Sequence, residues 1–290
     1  MTFLIALKKG KSQGLPFLCL ANQFHICYNS YTCICSGDMD MIVRKWEQLP
    51  PEMQNDSVRK YYDILHKKRG SLLCKRLFDI VVSFLLLIIL SPLFFMLAIA
   101  IKCDSKGPVL FKQERVTQYG KKFRIFKFRT MVADAERIGS QITQNRDGRV
   151  TRVGHIIRKL HLDETIQVLN VLMGDMSFVG TRPEVPRYVD RYTDEMMATF
   201  LLPAGITSLA SIVYQNEGLL FNSGDDVDAV YQGEILPKKM RYNLYSMEHF
   251  TVRGDIKIMV QTVYSVFHKN YKPTIPEEEI QEELNAQAII

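Results

Sequence analysis

The chain has 290 residues, 47% of them apolar and 23% charged, with 16 glycines and 11 prolines, a balance that excludes collagenous, low-complexity and wholly disordered chains. A formal net charge of +6 permits a phosphate-bearing partner, whether nucleotide, nucleic acid or anionic membrane surface, without choosing among them. Six cysteines are too few and too unevenly spread for a disulfide scaffold, so a reducing compartment is the simpler reading.

Residues 1–40 show no sustained periodicity, and Phe3 to Leu7 is too short an apolar run for a secretory signal. Cys19, Cys27, Cys33 and Cys35 crowd this stretch around His25, but their spacings match no zinc-finger pattern. Met39 and Met41 precede a segment of more ordinary composition, which leads to the expectation that translation starts there and that residues 1–40 are not native. Leu49-Pro50-Pro51 is a breaker, and Ser57 to Lys68 reads as a short amphipathic helix.

The character then changes abruptly. Leu77 to Ile101 is a run of 25 residues in which only Asp79, Ser83, Ser91 and Pro92 are not apolar. At ~1.5 Å per residue such a helix reaches about 37 Å, more than the roughly 30 Å of a bilayer core, so it reads as a membrane segment rather than a buried core helix. Both flanks are basic, whereas a spanning helix should show charge asymmetry. Pro92 removes a backbone hydrogen bond in the middle of the run, beside Ser91, which can re-satisfy a freed carbonyl. These features together predict a helix that enters the membrane, breaks at Ser91-Pro92 and returns to the same face; a single kinked span is the alternative.

Two extended pieces follow, Val109 to Val116 and Lys122 to Arg129, the second alternating cation and apolar residue except at the Ile125-Phe126 step. Between Lys102 and Arg129 nine Lys or Arg face only Asp104 and Glu114, a cationic strip that contact with anionic lipid alone would explain. No groove-reading motif accompanies it, so nucleic acid is not expected. Helices are predicted over Met131 to Gln141, Val153 to Leu160 and Thr165 to Met173. Pro186 to Phe267 reads as mixed helix and loop, broken at Leu202-Pro203-Ala204-Gly205, with Gly254-Asp255 opening a last apolar helix. From Lys272 the chain is acidic.

Asp163-Glu164 sits at a predicted helix start, where carboxylates are often no more than favourable partners of the helix dipole. Around the pair, however, lie Arg152, Arg158, Lys159 and Arg182, the last in the turn-rich loop Gly174 to Glu184. Carboxylate, arginine and a hard metal are what phosphoryl transfer needs. Adjacent helical residues point about 100° apart, so the two would not share a proton; one could attack while the other holds a metal. No Walker loop, dinucleotide glycine fingerprint or nucleophile-elbow serine is present.

The strings Lys75-Arg76-Leu77-Phe78-Asp79, Ser91-Pro92, Gly107-Pro108-Val109-Leu110-Phe111, Phe126-Lys127-Phe128-Arg129-Thr130-Met131, Leu162-Asp163-Glu164, Asn170 through Gly180 and Gly205-Ile206-Thr207 resemble, in matching order, the bacterial sugar transferases, the monotopic phosphoglycosyl transferases. The resemblance implies an α/β, mostly helical, membrane-associated catalytic domain with a re-entrant helix. It implies transfer of a sugar 1-phosphate from a UDP-sugar to undecaprenyl phosphate on the cytoplasmic face of the bacterial inner membrane, with Mg2+ as cofactor. Asp163 would be the nucleophile and Glu164 the metal ligand, while Lys127, Arg158, Arg182 and Asp255 match further active-site positions. The partners so implied are UDP-sugar, undecaprenyl phosphate and membrane lipid, with a homodimer left open. The implied organisation is an extension over 1–72, the membrane segment and interface over 73–106, a cytoplasmic catalytic domain over 107–268 and an acidic tail over 269–290.

Two departures from the family pattern concern substrate contacts. Thr181-Arg182-Pro183 stands for Pro-Arg-Pro, and Ser208-Leu209-Ala210-Ser211 stands for the commoner Gly-Trp-Ala-Gln. The rival reading is a non-enzymatic membrane adaptor whose Asp163-Glu164 is only a helix start.

Overall fold

A computed structural model describes residues 43–132, 135, 147–215 and 227–268. The early cysteine cluster, the expected start methionines, most of the helix predicted from Met131 and the acidic tail lie outside these residues; Met131 itself pairs in an isolated bridge with Val150.

Helix α1, Asp56–Lys67, starts where Asn55 accepts a hydrogen bond from the Val58 amide at 2.9 Å. Val58, Tyr61, Tyr62 and Leu65 recur at helical spacing and are buried with Met53, Phe200, Leu201, Leu244, Met247 and Phe250. Helix α2, Arg69–Asp104, carries Pro92 inside it and absorbs the whole predicted membrane run. It is long and apolar enough to cross a membrane, and many of its large apolar side chains face outward, among them Leu77, Phe84, Ile89 and Phe95. Ser91 returns its hydroxyl to the Ile88 carbonyl, the acceptor that Pro92 leaves without its usual donor, at 2.8 Å.

Strands β1, Leu110–Val116, and β2, Lys122–Phe128, pair antiparallel with Leu110 opposite Phe128 and Val116 opposite Lys122. The turn between them takes left-handed backbone at Tyr119 and Gly120. Side chains alternate across a strand, so Phe123, Ile125 and Lys127 share one face and Phe126 and Phe128 the other. Phe123 and Ile125 join a cluster that includes Phe78, Val82, Leu86 and Leu87 of α2. Phe126 and Phe128 join another that includes Leu93, Phe94, Leu97 and Ile101. The hairpin is therefore flanked by the two halves of α2, one on each side of Ser91-Pro92.

Helix α3, Arg152–Lys159, is capped by Thr151 and lies so close to the hairpin exit that a Cβ on Gly154 would meet the Thr130 carbonyl at 2.0 Å. A 3-10 turn, Thr165–Gln167, runs into α4, Val168–Met173, which ends on the left-handed Gly174. Buried Asn170 closes the free edge of β2: its Oδ1 accepts from the Phe126 amide at 3.0 Å and its Nδ2 donates to the Arg124 carbonyl at 2.9 Å.

Strands β3, Met176–Val179, and β4, Ala204–Thr207, form a parallel pair that the sequence reading did not contain. Between them lie α5, Pro186–Val189, and a 3-10 stretch, Met196–Leu201. Beyond them come α6, Leu209–Val213, and α7, Val227–Val230, the latter leading through a π turn at Tyr231–Ile235 into α8, Leu236–Glu248. Helix α9, Val252–Phe267, is capped by Thr251 and packs Ile258 and Met259 beside α2. The described architecture is thus mostly helical, with two small two-stranded sheets.

Candidate active site

Glu164 precedes the 3-10 turn, but its side chain caps nothing. Its Oε1 instead accepts Lys127 Nζ at 2.8 Å and Arg182 Nη2 at 2.5 Å. The expectation of a mere helix-start carboxylate fails here, because two cations from elsewhere in the chain outcompete the turn's own amides. Lys127 reaches Glu164 because β2 parity places it on the inward face with Phe123 and Ile125. Arg182 reaches it from the segment that leaves β3. Burial works to raise the Glu164 carboxyl, yet Arg182 and Lys127 outweigh it and hold the group far below the usual carboxylate range.

Asp163 is fixed through its backbone, whose carbonyl accepts from the Phe128 amide at 2.9 Å at the end of β2. A left-handed residue, His161, turns the chain from α3 into this position. Asp163 forms no ion pair among the described residues. Burial, helped by repulsion from Glu164, raises its carboxyl above the ordinary value, while Lys127 and Arg158 pull it back. Arg158, in the last turn of α3, is oriented by a 2.8 Å bond from Nε to Thr130 Oγ1. Two adjacent carboxylates thus have opposite environments, one pinned by two cations and lowered, the other without an ion pair among the described residues and raised.

The structure brings Lys127, Arg158 and Arg182 around Asp163-Glu164 and places Asp255 differently. Asp255, in the first turn of α9, pairs with Lys75 of α2 in a largely buried setting. Residues 179–181 link the two regions, since they line the cavity that holds Lys75 and Asp255 and lead directly to Arg182.

Sequence reasoning missed the support beneath Arg182. Arg115 of β1 is clasped by Gln113 and donates from Nη1 to the Pro183 carbonyl at 3.1 Å. The Val116 amide binds the Glu184 carbonyl at 3.0 Å, and the buried Glu184 carboxylate accepts the Tyr231 hydroxyl at 2.6 Å. Arg115 reads in sequence as one more flanking cation, and Glu184 and Tyr231 belong to no spacing pattern. Lys75 and Asp79 were visible as a flanking cation and a polar break in the apolar run, and in a motif string, but not in their contacts; Asp79 accepts Ser177 Oγ at 2.7 Å, tying α2 to β3.

Among the described residues no group of three or more His, Cys, Asp or Glu is placed to hold a metal. Magnesium, however, is commonly held by one or two carboxylates, substrate phosphates and water. Glu164 takes both cations on Oε1, which leaves Oε2 as a hard oxygen donor beside Asp163, so the residues present fit that ion.

The signature of bacterial sugar transferases matches residues 70–269. The chain is 36% identical over 215 residues, 70% of its length, to a UDP-N-acetylgalactosamine-undecaprenyl-phosphate N-acetylgalactosaminephosphotransferase of Aeromonas hydrophila, covering 48% of that protein. It is 36% identical over 199 residues to a UDP-glucose:undecaprenyl-phosphate glucose-1-phosphate transferase of Escherichia coli, 67% of this chain and 40% of the relative. A Caulobacter vibrioides protein of the same description is 36% identical over 195 residues, 66% of this chain and 69% of the relative. The chain therefore spans about half or less of the length of the first two relatives.

Proposed function

This chain belongs to the bacterial sugar transferase family, and we propose that it transfers a sugar 1-phosphate from a UDP-sugar to undecaprenyl phosphate, releasing UMP and starting assembly of a glycan. The observation that carries the chemistry is the unequal pair: Glu164 is bound by Lys127 and Arg182, while Asp163 forms no ion pair among the described residues and burial raises its carboxyl.

Asp163 attacks the phosphorus that bears the sugar. An Asp163 oxygen–phosphorus bond forms, the bridging phosphorus–oxygen bond breaks, and UMP leaves with the electron pair. An oxygen of undecaprenyl phosphate then attacks the same phosphorus and the Asp163 carboxylate departs, which frees the enzyme. Lys127, Arg158 and Arg182 gather cationic charge where the donor's phosphates must sit, and in phosphoryl transfer positioning and charge neutralisation supply most of the catalysis. Glu164, with the donor's phosphates, would hold Mg2+, which supplies further neutralisation of the diphosphate.

The same reading places α2 in the bilayer with both ends on the cytoplasmic face, where the nucleotide donor is found. Both ends are fastened to one body, which supports that topology. Near the start, Lys75 pairs with Asp255 and Arg76 donates to the carbonyls of Val171 and Leu172 at 2.8 and 3.2 Å. At the other end, the Asp104 carboxylate accepts the Val153 amide at 3.0 Å, and Ser105 is held by Arg129 at 2.7 Å. A helix crossing the bilayer would send these ends to opposite sides. Exposed apolar residues elsewhere, Ile156 on α3, Leu160 at its end, and Val260 and Val263 on α9, would seat the body at the headgroups.

The test is UMP release from a panel of UDP-sugars by detergent-solubilised protein with undecaprenyl phosphate and Mg2+. Release from one donor, lost in Asp163→Asn while membrane association persists, is the expected result. Activity retained in Asp163→Asn would refute the assignment.

A further inference from the structure

Arg115 of β1 and Glu184 are opposite charges that share one largely buried neighbourhood without forming an ion pair with each other. Each is held by neutral groups instead. The guanidinium is held by the Gln113 side chain and the Pro183 carbonyl, and the carboxylate by the Tyr231 hydroxyl at 2.6 Å. Glu184 is 8% exposed and Tyr231 7%, so water can replace little of what these contacts supply. Among the charges acting on Arg115, Glu184 attracts it most, Arg182 repels it and Glu164 attracts it less strongly. Unlike charges attract strongly where water is scarce, so the neutral partners keep these two from closing on each other.

The arrangement bears on the site through the chain. Consecutive residues of β1 grip consecutive residues of the loop: Arg115 Nη1 donates to the Pro183 carbonyl at 3.1 Å, and the Val116 amide to the Glu184 carbonyl at 3.0 Å. The residue just before them, Arg182, reaches Glu164 at 2.5 Å with a side chain still 41% exposed, so its backbone must be held for it to stay there. Tyr231 opens the π turn, an irregularity often found at functional sites, and its ring packs on Tyr188 with centroids 5.0 Å apart. Its oxygen accepts Lys239 Nζ at 3.4 Å, and a hydroxyl that accepts from a cation donates the more strongly.

We propose that the Tyr231 hydroxyl is a positioning group for phosphoglycosyl transfer: by holding the Glu184 carboxylate it leaves Arg115 on the Pro183 carbonyl, and Arg115 thereby keeps Arg182 at Glu164. The inference rests on that reaction. Without the hydroxyl, the carboxylate draws Arg115 away from Pro183, and Arg182 loses its support. Neutralising Glu184 removes the pull, so Glu184→Gln should relieve the defect of Tyr231→Phe. A hydroxyl that served only the fold would show the opposite, because a second change in the same buried network would add to the first.

The experiment uses the full chain in detergent with undecaprenyl phosphate, Mg2+ and the UDP-sugar that wild type turns over. It reads kcat/KM for UMP release, and UDP affinity by titration calorimetry. The variants are Tyr231→Phe, Glu184→Gln, the two combined, and Arg115→Lys, which keeps the charge but cannot grip both Gln113 and Pro183. Tyr231→Phe and Arg115→Lys are also made in an Arg182→Ala background. Each of these two should lower kcat/KM by roughly tenfold and UDP affinity by roughly fivefold, and neither should cost more than about twofold in UDP affinity once Arg182 is gone. Adding Glu184→Gln to Tyr231→Phe should recover about threefold or more in kcat/KM. Losses undiminished without Arg182, or a combined variant no better than Tyr231→Phe, would overturn the proposal in favour of a role in the fold; should Tyr231→Phe not fold, Arg115→Lys decides alone. If wild type releases UMP from no UDP-sugar, the reaction itself is misassigned and this inference falls with it.

Discussion

Lys75 and Asp255 form an ion pair between α2 and α9 with side chains 9% and 16% exposed. Removing one partner of a buried pair typically costs about 3–5 kcal/mol, because the survivor is left charged in a poor solvent. The two deletions differ here, since Asp79 lies one helical turn from Lys75 and interacts with both members of the pair. Asp255→Asn leaves Lys75 with Asp79 as counter-charge, so its cost falls near the lower figure. Lys75→Met leaves two carboxylates facing each other, so its cost falls near the upper one. At about 2–4 °C per kcal/mol for a domain of this size, the unfolding midpoints should drop by roughly 10 °C and 15 °C respectively. Burial already raises the Asp255 carboxyl, and Lys75 opposes that rise. Without Lys75 the folded pKa climbs further above the unfolded one, so the folded state binds more protons and stability falls as pH rises between the two values. The Lys75→Met deficit should therefore be greatest at neutral pH and shrink as pH falls toward 3.8, the ordinary aspartate value. Thermal unfolding in detergent across pH measures this, and Lys75→Met combined with Asp255→Leu should recover part of the loss. Equal deficits in the single variants, or one independent of pH, would refute the reasoning.

Two further predictions concern the site and its scaffold. The proposed attack requires an ionised Asp163, whose carboxyl is raised, so kcat/KM should fall on acidification with an apparent pKa above 3.8; Lys127→Ala should move that limb to higher pH and Lys127→Arg should not, and a limb unmoved by either would contradict the role of Lys127. A Cβ on Gly154 would collide with the Thr130 carbonyl, so Gly154→Ala should displace α3, misplace Arg158 and cut activity at least tenfold, whereas Gly70→Ala, with nothing within 4 Å, should leave activity unchanged; equal activities would contradict the packing.

The elements with strong periodicity or composition were readable in advance. The α1 stripe of Val58, Tyr61, Tyr62 and Leu65, the apolar run of α2 and the hairpin strands fall within one residue of, or inside, the expected bounds, apart from the polar turns that lengthen α2. The parallel pair β3 and β4 was not readable, because the four residues of β3 are all buried, those of β4 are buried except the half-buried Ile206, neither shows a polar alternation, and their pairing joins segments about 28 residues apart. Its tight contact at Gly180 and Gly205, where a Cβ on Gly205 would meet the Gly180 amide nitrogen at 2.2 Å, is a property of that pairing. The same distinction holds at the site. Lys127, Arg158 and Arg182, and the separate roles of Asp163 and Glu164, could be gathered from residue type and motif, but the unequal surroundings of the two carboxylates follow from strand parity and the β3 exit, which no local pattern displays. Arg115 and Glu184 act through a loop carbonyl and a tyrosine hydroxyl, contacts that leave no periodic trace.

The central claim is that Asp163 becomes covalently attached to the sugar phosphate. The most direct measurement is intact and peptide mass spectrometry of the protein incubated with its UDP-sugar and Mg2+ in the absence of undecaprenyl phosphate. A sugar-phosphate adduct on the peptide containing Asp163, absent in Asp163→Asn and discharged by adding undecaprenyl phosphate, is the predicted result. Product formation by a protein that never carries the adduct, or an adduct on Glu164 instead, would contradict the account.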